Sequence, residues 1–292
     1  MKFRVAAIQM TSTSDREANL HAAEGLLAEA AAGRAEMAAL PENFAFLQAE
    51  GESAPDPEPC CGADAAGARG DVSPGQADGA VTAWLRAQAR RHHMWILGGT
   101  IAERQATGSP DGRTFNTSLL LDPEGRIAAC YRKLHLFDVS IRGGPEFRES
   151  KTVAPGDRPV MAETPFGPAG LSVCYDLRFP ELYRQMALRG ARVLFVPAAF
   201  TAHTGKDHWE ILLRARAIEN LCYVVAPAQV GRHSAKRASH GHAMIIDPWG
   251  TVIAEAPDQQ TVIVADLDTD RLEEVRRGLP ALGHVRKDLF PS

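Results

Sequence analysis

Three side chains in this 292-residue chain have the types and settings that nucleophilic acyl transfer needs: Cys174, Glu42 and Lys133. Cys174 closes the apolar run Gly170-Leu171-Ser172-Val173 and precedes Pro180-Glu181, where proline suits the first turn of a helix. A thiol at such a strand end faces a crevice, and a nearby helix N-terminus favours its thiolate. Glu42 follows Pro41 at the end of another apolar run, and Lys133 ends a third in Tyr131-Arg132-Lys133-Leu134-His135. Singly, each has a plainer explanation: a packed cysteine, a solvated carboxylate, a surface lysine. Together they complete one reaction. The carboxylate takes the thiol proton, the sulfur attacks a carbonyl, and the ammonium balances the oxyanion. A cysteine–histidine pair is the competing arrangement, with His135, His203 and His208 as candidates. None of the three carries a local signature that favours it.

The elements that must hold these groups alternate along the chain. Residues 3–10 read as a buried strand, and Ser14-x-x-Glu17 opens a helix over 15–33 with a capping-box pattern. Leu20, Ala23, Leu27 and Ala30 recur there at helical spacing. A strand at 36–41 delivers Glu42. A helix at 79–93 and strands at 95–102, 115–122 and 126–134 follow, the last delivering Lys133. The second half repeats the rhythm: strand 169–174, a helix from Pro180, strand 192–197, and a helix at 207–220 with an apolar stripe of Ile211, Ala215 and Ile218. Strands at 223–229, 242–247, 251–255 and 261–266 precede a helix from about 270. Two halves of this kind predict an α/β fold with two mixed sheets packed face to face, in one domain over residues 1–292. Residues 49–78 show no periodicity and are dense in Gly, Pro, Ala and Asp, which reads as a flexible insertion.

Composition narrows the functions. A formal charge of -4 argues against nucleic-acid or anionic-membrane partners, which attract clustered Lys and Arg. No apolar run nears the roughly 18 residues of a membrane span, and the start MKFRVAAIQM is too short in apolar residues for a signal sequence. The cytoplasm is the expected compartment. Five cysteines, an odd number without a regular framework, read as reduced thiols, and Cys60-Cys61 as incidental loop residues. His92-His93 and His240-Gly-His242 read as surface or packed histidines rather than metal ligands.

Leu40-Pro41-Glu42-Asn43-Phe44, Tyr131 through Asp138, and Ser172 through Glu181 resemble, in order and spacing, the three catalytic blocks of the nitrilase (carbon–nitrogen hydrolase) superfamily. The resemblance spans nearly the whole chain. It implies a four-layer αββα sandwich, a Glu-Lys-Cys triad of Glu42, Lys133 and Cys174, no metal or organic cofactor, and a homodimer or higher oligomer paired through helical faces. It also implies a second glutamate near the site, Glu149 or its neighbour Glu146. The oxyanion would be held by Lys133 and the Tyr175 backbone N–H.

His208-Trp209-Glu210, Arg214 through Asn220, Ala228-Gln229, Gly231, His233, Lys236-Arg237 and Asp247-Pro248-Trp249-Gly250 are similar to the Nit branch of that superfamily. That branch includes deaminated-glutathione amidases, so the resemblance implies a small carboxylate-bearing amide as substrate. The expected reaction is hydrolysis of deaminated glutathione to 2-oxoglutarate and Cys-Gly. Alternatives are an ω-amidase acting on 2-oxoglutaramate, a nitrile or N-carbamoyl amino acid hydrolase, and a catalytically silent scaffold. Arg178, four residues beyond Cys174, has the fork to clamp a carboxylate, with Phe200, Thr201 and His208 as further pocket candidates. The long stretch at 49–78 departs from the branch and bears on the substrate rather than the chemistry.

Overall fold

In the computed structural model, which describes residues 1–59, 78–105, 111–140, 146–286 and 288–289, strand β1 (Lys2–Met10) is buried on both faces. Phe3, Val5 and Ala7 join one apolar cluster while Ala6, Ile8 and Met10 join another, because successive strand side chains point to opposite faces. β1 therefore lies inside the molecule, with helices on one side and a second sheet on the other. It is followed by α1 (Arg16–Ala32), β2 (Met37–Ala39), α2 (Ala80–His92), β3 (Trp95–Leu97), β4 (Ile101–Arg104), β5 (Thr114–Leu121) and β6 (Ile127–Arg132). Next come β7 (Asp138–Ser140), β8 (Glu146–Arg148), β9 (Val160–Thr164), β10 (Gly167–Leu171), α3 (Pro180–Leu188), β11 (Val193–Phe195) and α4 (Ala202–Asn220). The remainder is β12 (Tyr223–Ala226), β13 (Ala228–Arg232), β14 (Ala238–His240), β15 (Met244–Ile246), β16 (Val252–Glu255), β17 (Thr261–Asp268) and α5 (Thr269–Gly278).

Among the described residues one sheet has nine strands along the path β14-β13-β1-β2-β3-β5-β4, with β17 also on β1 and β6 also on β5. The other has six, in the order β16-β15-β12-β11-β10-β9. Both mix parallel and antiparallel pairs. Ala23 and Leu27 of α1 and Val81 and Leu85 of α2 pack on the first sheet. Tyr183 and Met186 of α3 and Trp209 and Leu213 of α4 pack on the second. The chain thus forms the expected αββα sandwich of two mixed sheets.

Several local readings change. Asp15, not Ser14, caps α1, accepting the Ala18 N–H at 3.0 Å. The strand expected at 223–229 divides at Pro227, which has no N–H for a ladder. β12 stays in the six-stranded sheet and β13 crosses to pair with β1. The strand expected at 95–102 breaks at Gly98-Gly99. Helix α4 starts at Ala202, not 207, behind the Thr201 cap. Its stripe of Ile211 and Ile218 faces outward, 69% and 45% exposed; the buried face is Trp209, Leu213, Arg216, Ala217 and Asn220. Residues 60–77 of the expected insertion, with Cys60 and Cys61, lie outside the described residues. Its near end is anchored: Glu58 is buried and its carboxylate accepts the Val81 and Thr82 N–H groups, capping α2. Among the described residues no helix is long and apolar enough to cross a membrane.

Candidate active site

β2 runs out through Leu40-Pro41 to Glu42 beside the Gly98-Gly99 turn. Gly99 has φ +47°, and a Cβ there would lie 2.0 Å from the Pro41 carbonyl oxygen, so this approach needs glycine. Gln229 Nε2 donates to the Glu42 carbonyl at 3.0 Å and to Ser12 Oγ at 2.7 Å, fixing the backbone from β13. The Glu42 side chain points into the sandwich. Its Oε1 accepts Asn116 Nδ2 at 2.9 Å and Lys133 Nζ at 3.1 Å; its Oε2 accepts the Ala199 N–H at 2.9 Å. The Cys174 thiol lies close enough to this carboxylate that each shifts the other's titration. Burial pushes the Glu42 carboxyl up, but the Lys133 ammonium and these donors together outweigh it and hold it below the usual carboxylate range.

Lys133 follows the end of β6 and is buried. Its Nζ also donates to Glu149 Oε1 at 3.1 Å and Oε2 at 2.9 Å. Burial opposes its charge, yet Glu42 and then Glu149 hold the ammonium well above the ordinary lysine range. Glu149, after the β7–β8 ribbon, also accepts the Phe137 N–H at 2.6 Å and Asn116 Nδ2 at 3.2 Å. The second glutamate beside the site is therefore Glu149. Glu146 is exposed and pairs with Arg148.

Cys174 arrives from the other sheet, three residues beyond β10, and opens a short 3-10 turn, Cys174–Arg178. Its φ is +47°, a left-handed conformation that costs a non-glycine residue about 1–2 kcal/mol. The Cys174 N–H donates to the Pro197 carbonyl at 3.0 Å and holds it there. α3 starts at Pro180 as expected, but the setting of Cys174 opposes the thiolate that its terminus was expected to favour. Burial first, then the Glu42 charge, push the thiol well above its ordinary range against Lys133 and the Ala199 N–H. This setting favours a thiol beside a carboxylate over a thiolate. Moving the proton from sulfur to Glu42 leaves the net charge of the buried cluster unchanged, so no ion need be desolvated in that step.

Asp176 ties together the two strand ends that deliver Lys133 and Cys174. Its buried carboxylate accepts Tyr131 Oη at 2.6 Å and the Val173 N–H at 2.9 Å on Oδ2; on Oδ1 it accepts the His135 N–H at 3.0 Å and meets His135 Nδ1 at 2.7 Å. Tyr131 and His135 flank Lys133, and Val173 precedes Cys174. His135 is thereby committed to Asp176 and stacks on Phe179 at 3.7 Å; the group set beside the thiol is the carboxylate of Glu42, not this imidazole. His240 and His242 stack on each other, and His242 bonds Glu255.

The three groups meet in the wall of a cavity of about 1230 Å³ that Tyr175, Arg178, Phe200, Thr201 and Arg237 also line. The Tyr175 N–H makes no hydrogen bond to any described residue. Arg178 lies over the Phe200 ring at 5.1 Å and meets His208 Nδ1 at 3.3 Å, so His208 reaches the cavity only through Arg178. Thr201 spends its hydroxyl on Thr204 at the head of α4. Sequence reasoning missed Asn116, Asp176, Gln229 and the Ala199 N–H. An asparagine inside the strand Thr114–Leu121 and a glutamine inside Ala228–Arg232 were visible signals, since both sit badly in buried strands unless bonded. The Ala199 N–H has no sequence signal.

The family model described as carbon–nitrogen hydrolase matches residues 4–277. A deaminated glutathione amidase from Synechocystis sp. is 45% identical over 287 residues, 97% of each chain. The crystal structure of Saccharomyces cerevisiae Nit3, described as a member of branch 10 of the nitrilase superfamily, superposes with a TM-score of 0.80 at 28% identity, covering 96% of this chain and 94% of that one. A mutant of the amidase from Nesterenkonia sp. AN1 has a TM-score of 0.72 at 25% identity, with 99% and 95% covered. That structure shows covalent addition of the acetamide moiety of fluoroacetamide at its active-site cysteine.

Proposed function

The chain belongs to the carbon–nitrogen hydrolase family, and on that premise we propose that it hydrolyses deaminated glutathione to 2-oxoglutarate and Cys-Gly through a thioester on Cys174. The chemistry rests on one observation above the others: a single buried carboxylate, Glu42, bonds the Lys133 ammonium at 3.1 Å and lines the same cavity as the Cys174 thiol, close enough to raise it. As the sulfur attacks the amide carbon, its proton passes to Glu42. The carbonyl oxygen becomes an oxyanion received by Lys133 Nζ and the Tyr175 N–H. Glu42 then gives the proton to the amine nitrogen, the C–N bond breaks, and Cys-Gly leaves. Water enters, loses a proton to Glu42 and attacks the thioester. The carboxylate product departs and Glu42 returns the proton to sulfur. Each acid–base or oxyanion contribution is worth about 10²–10⁴-fold. Glu149 keeps Lys133 charged and pointed inward. Arg178, half-buried over Phe200, receives the 2-oxo acid carboxylate.

The test compares kcat/KM for deaminated glutathione and 2-oxoglutaramate on one preparation. A preference of about 100-fold for the former, or about 2.7 kcal/mol of differential transition-state binding, is expected. The reverse preference replaces this reading with an ω-amidase. Turnover of neither, with turnover of a nitrile or N-carbamoyl amino acid, moves it to those substrates. Inertness towards every one leaves a scaffold. Cys174→Ala abolishes turnover in all catalytic cases.

We also propose one carbon–nitrogen hydrolase domain over residues 1–292, working as a homodimer in the cytoplasm. The described cysteines are all unpaired, as in a reducing compartment. Ile211 and Ile218 of α4 stand exposed beside the turn that bears Trp249, itself 58% exposed, an apolar face suited to a second copy. Ile218→Glu should shift the mass in light scattering from dimer to monomer; a monomeric wild type ends the dimer proposal.

A further inference from the structure

The cations lining the cavity divide by whether the protein already neutralises them. Lys133 is held by Glu42 and Glu149, Arg113 by Asp111, and Arg148 by Glu146. Lys236 is exposed to water near Glu50. Arg16 and Lys151 are exposed to water. Arg178 and Arg237 are different. Both are half-buried, and neither has a carboxylate partner among the described residues. Arg178 at least has aromatic faces and His208. The Arg237 side chain hydrogen-bonds no described residue. A guanidinium partly stripped of water and left unpaired is a position that gains from an anion.

Both guanidinium groups flank one segment. Phe200 lies under Arg178, its carbonyl accepts the His240 N–H at 2.9 Å, and Thr201 pairs with Ser239. Arg237 is two residues before Ser239, about 7 Å along the strand. We propose that Arg237 receives the second carboxylate of the substrate, the glycyl carboxylate of the departing dipeptide, and so selects deaminated glutathione over short primary amides. This rests on the function proposed above. In an extended substrate the glycyl carboxylate lies about 7 Å beyond the scissile bond, and the 2-oxo acid carboxylate about 5 Å to its other side. Two guanidinium groups without a carboxylate partner among the described residues, lining the same cavity as Cys174, suit a dicarboxylate. A short primary amide carries only one of the two charges.

The experiment measures kcat/KM for deaminated glutathione and for its analogue with a terminal carboxamide, on wild type, Arg237→Gln and Arg237→Lys, with thermal melts as a folding control. Wild type should prefer the carboxylate about 10- to 100-fold, the worth of a charge-assisted hydrogen bond. In Arg237→Gln the ratio should fall to about 1, chiefly through KM, because this contact is made equally in ground and transition states. Arg237→Lys should keep part of the preference, since it retains the charge but not the fork. A wild type indifferent to the terminal carboxylate, or an Arg237→Gln protein that keeps the full ratio, overturns the assignment while leaving the proposed function standing. A wild type that prefers 2-oxoglutaramate to deaminated glutathione removes both.

Discussion

Replacing Asp176 by Asn keeps the size of the side chain but converts one acceptor oxygen into a donor. Each oxygen of the native carboxylate serves one reversible partner and one fixed one. Tyr131 can turn its hydroxyl and His135 can exchange tautomers, but the Val173 and His135 backbone N–H groups can only donate. Whichever way the amide is placed, one of these N–H groups meets another donor in the interior. An unmet buried donor costs about 1–3 kcal/mol, and losing charge assistance adds about 1 more. A total near 3 kcal/mol corresponds to a Tm lower by about 6–10 °C for a chain of this size. The consequence for catalysis is more specific. Val173 adjoins Cys174 and His135 lies two residues from Lys133, so relaxing either clash moves one catalytic group against the other. Misplacement by about 1 Å is worth about 10²-fold. Steady-state kinetics on Asp176→Asn should therefore show kcat lower by about 100-fold with KM within about threefold of wild type. If the melting point drops as expected and kcat stays within about twofold, Asp176 serves stability alone and the positioning argument is refuted.

Four further outcomes follow from the same geometry. The thiolate absorbance of wild type minus Cys174→Ala should develop only well above the ordinary thiol value of about 8.5, because burial and Glu42 raise it; a plateau below neutrality would indicate an ion pair instead. By linkage, the contribution of Cys174 to stability is intact below that ordinary value and is lost as pH rises through the higher folded value, so Cys174→Ala should flatten the alkaline limb of Tm against pH. Asn116→Ala withdraws the donor that Glu42 and Glu149 share; kcat should fall about 10-fold or more, and an unchanged kcat would show that Lys133 alone orders the two carboxylates. Gly99→Ala drives a Cβ into the Pro41 carbonyl at a positive φ, which should cost about 2–3 kcal/mol in denaturant unfolding and displace Glu42; wild-type stability and rate would show that the turn yields freely.

Residue types and strand ends pointed to the candidate triad before any coordinates. Glu42, Lys133 and Cys174 each stand just past an apolar run, and an α/β chain must bring such ends to a common edge. The alternation of strands and helices likewise dictated two layers, because each amphipathic element needs another to bury its apolar side. Where local signals competed, the reading slipped. Ile211 and Ile218 have helical spacing, but so do Trp209, Leu213 and Ala217, and only packing against the sheet decides which stripe turns inward. The ribbon Asp138–Ser140 with Glu146–Arg148 has no apolar run to announce it.

The linear chain determined which groups are available and that a thiol, a carboxylate and an ammonium can share one reaction. It could not determine their protonation, because that depends on distances between residues far apart in sequence. Glu42 and Lys133 are 91 residues apart, yet stand 3.1 Å from one another. The buried setting that makes Cys174 a thiol, and the partners that hold Lys133 charged, exist only once two sheets have closed over them. The tertiary structure also decided which cations are already neutralised. The sequence offered Arg178, and Lys236 or Arg237, as charges for a substrate; the structure separates Arg178 and Arg237, which lack a carboxylate partner among the described residues, from the other cations lining the cavity.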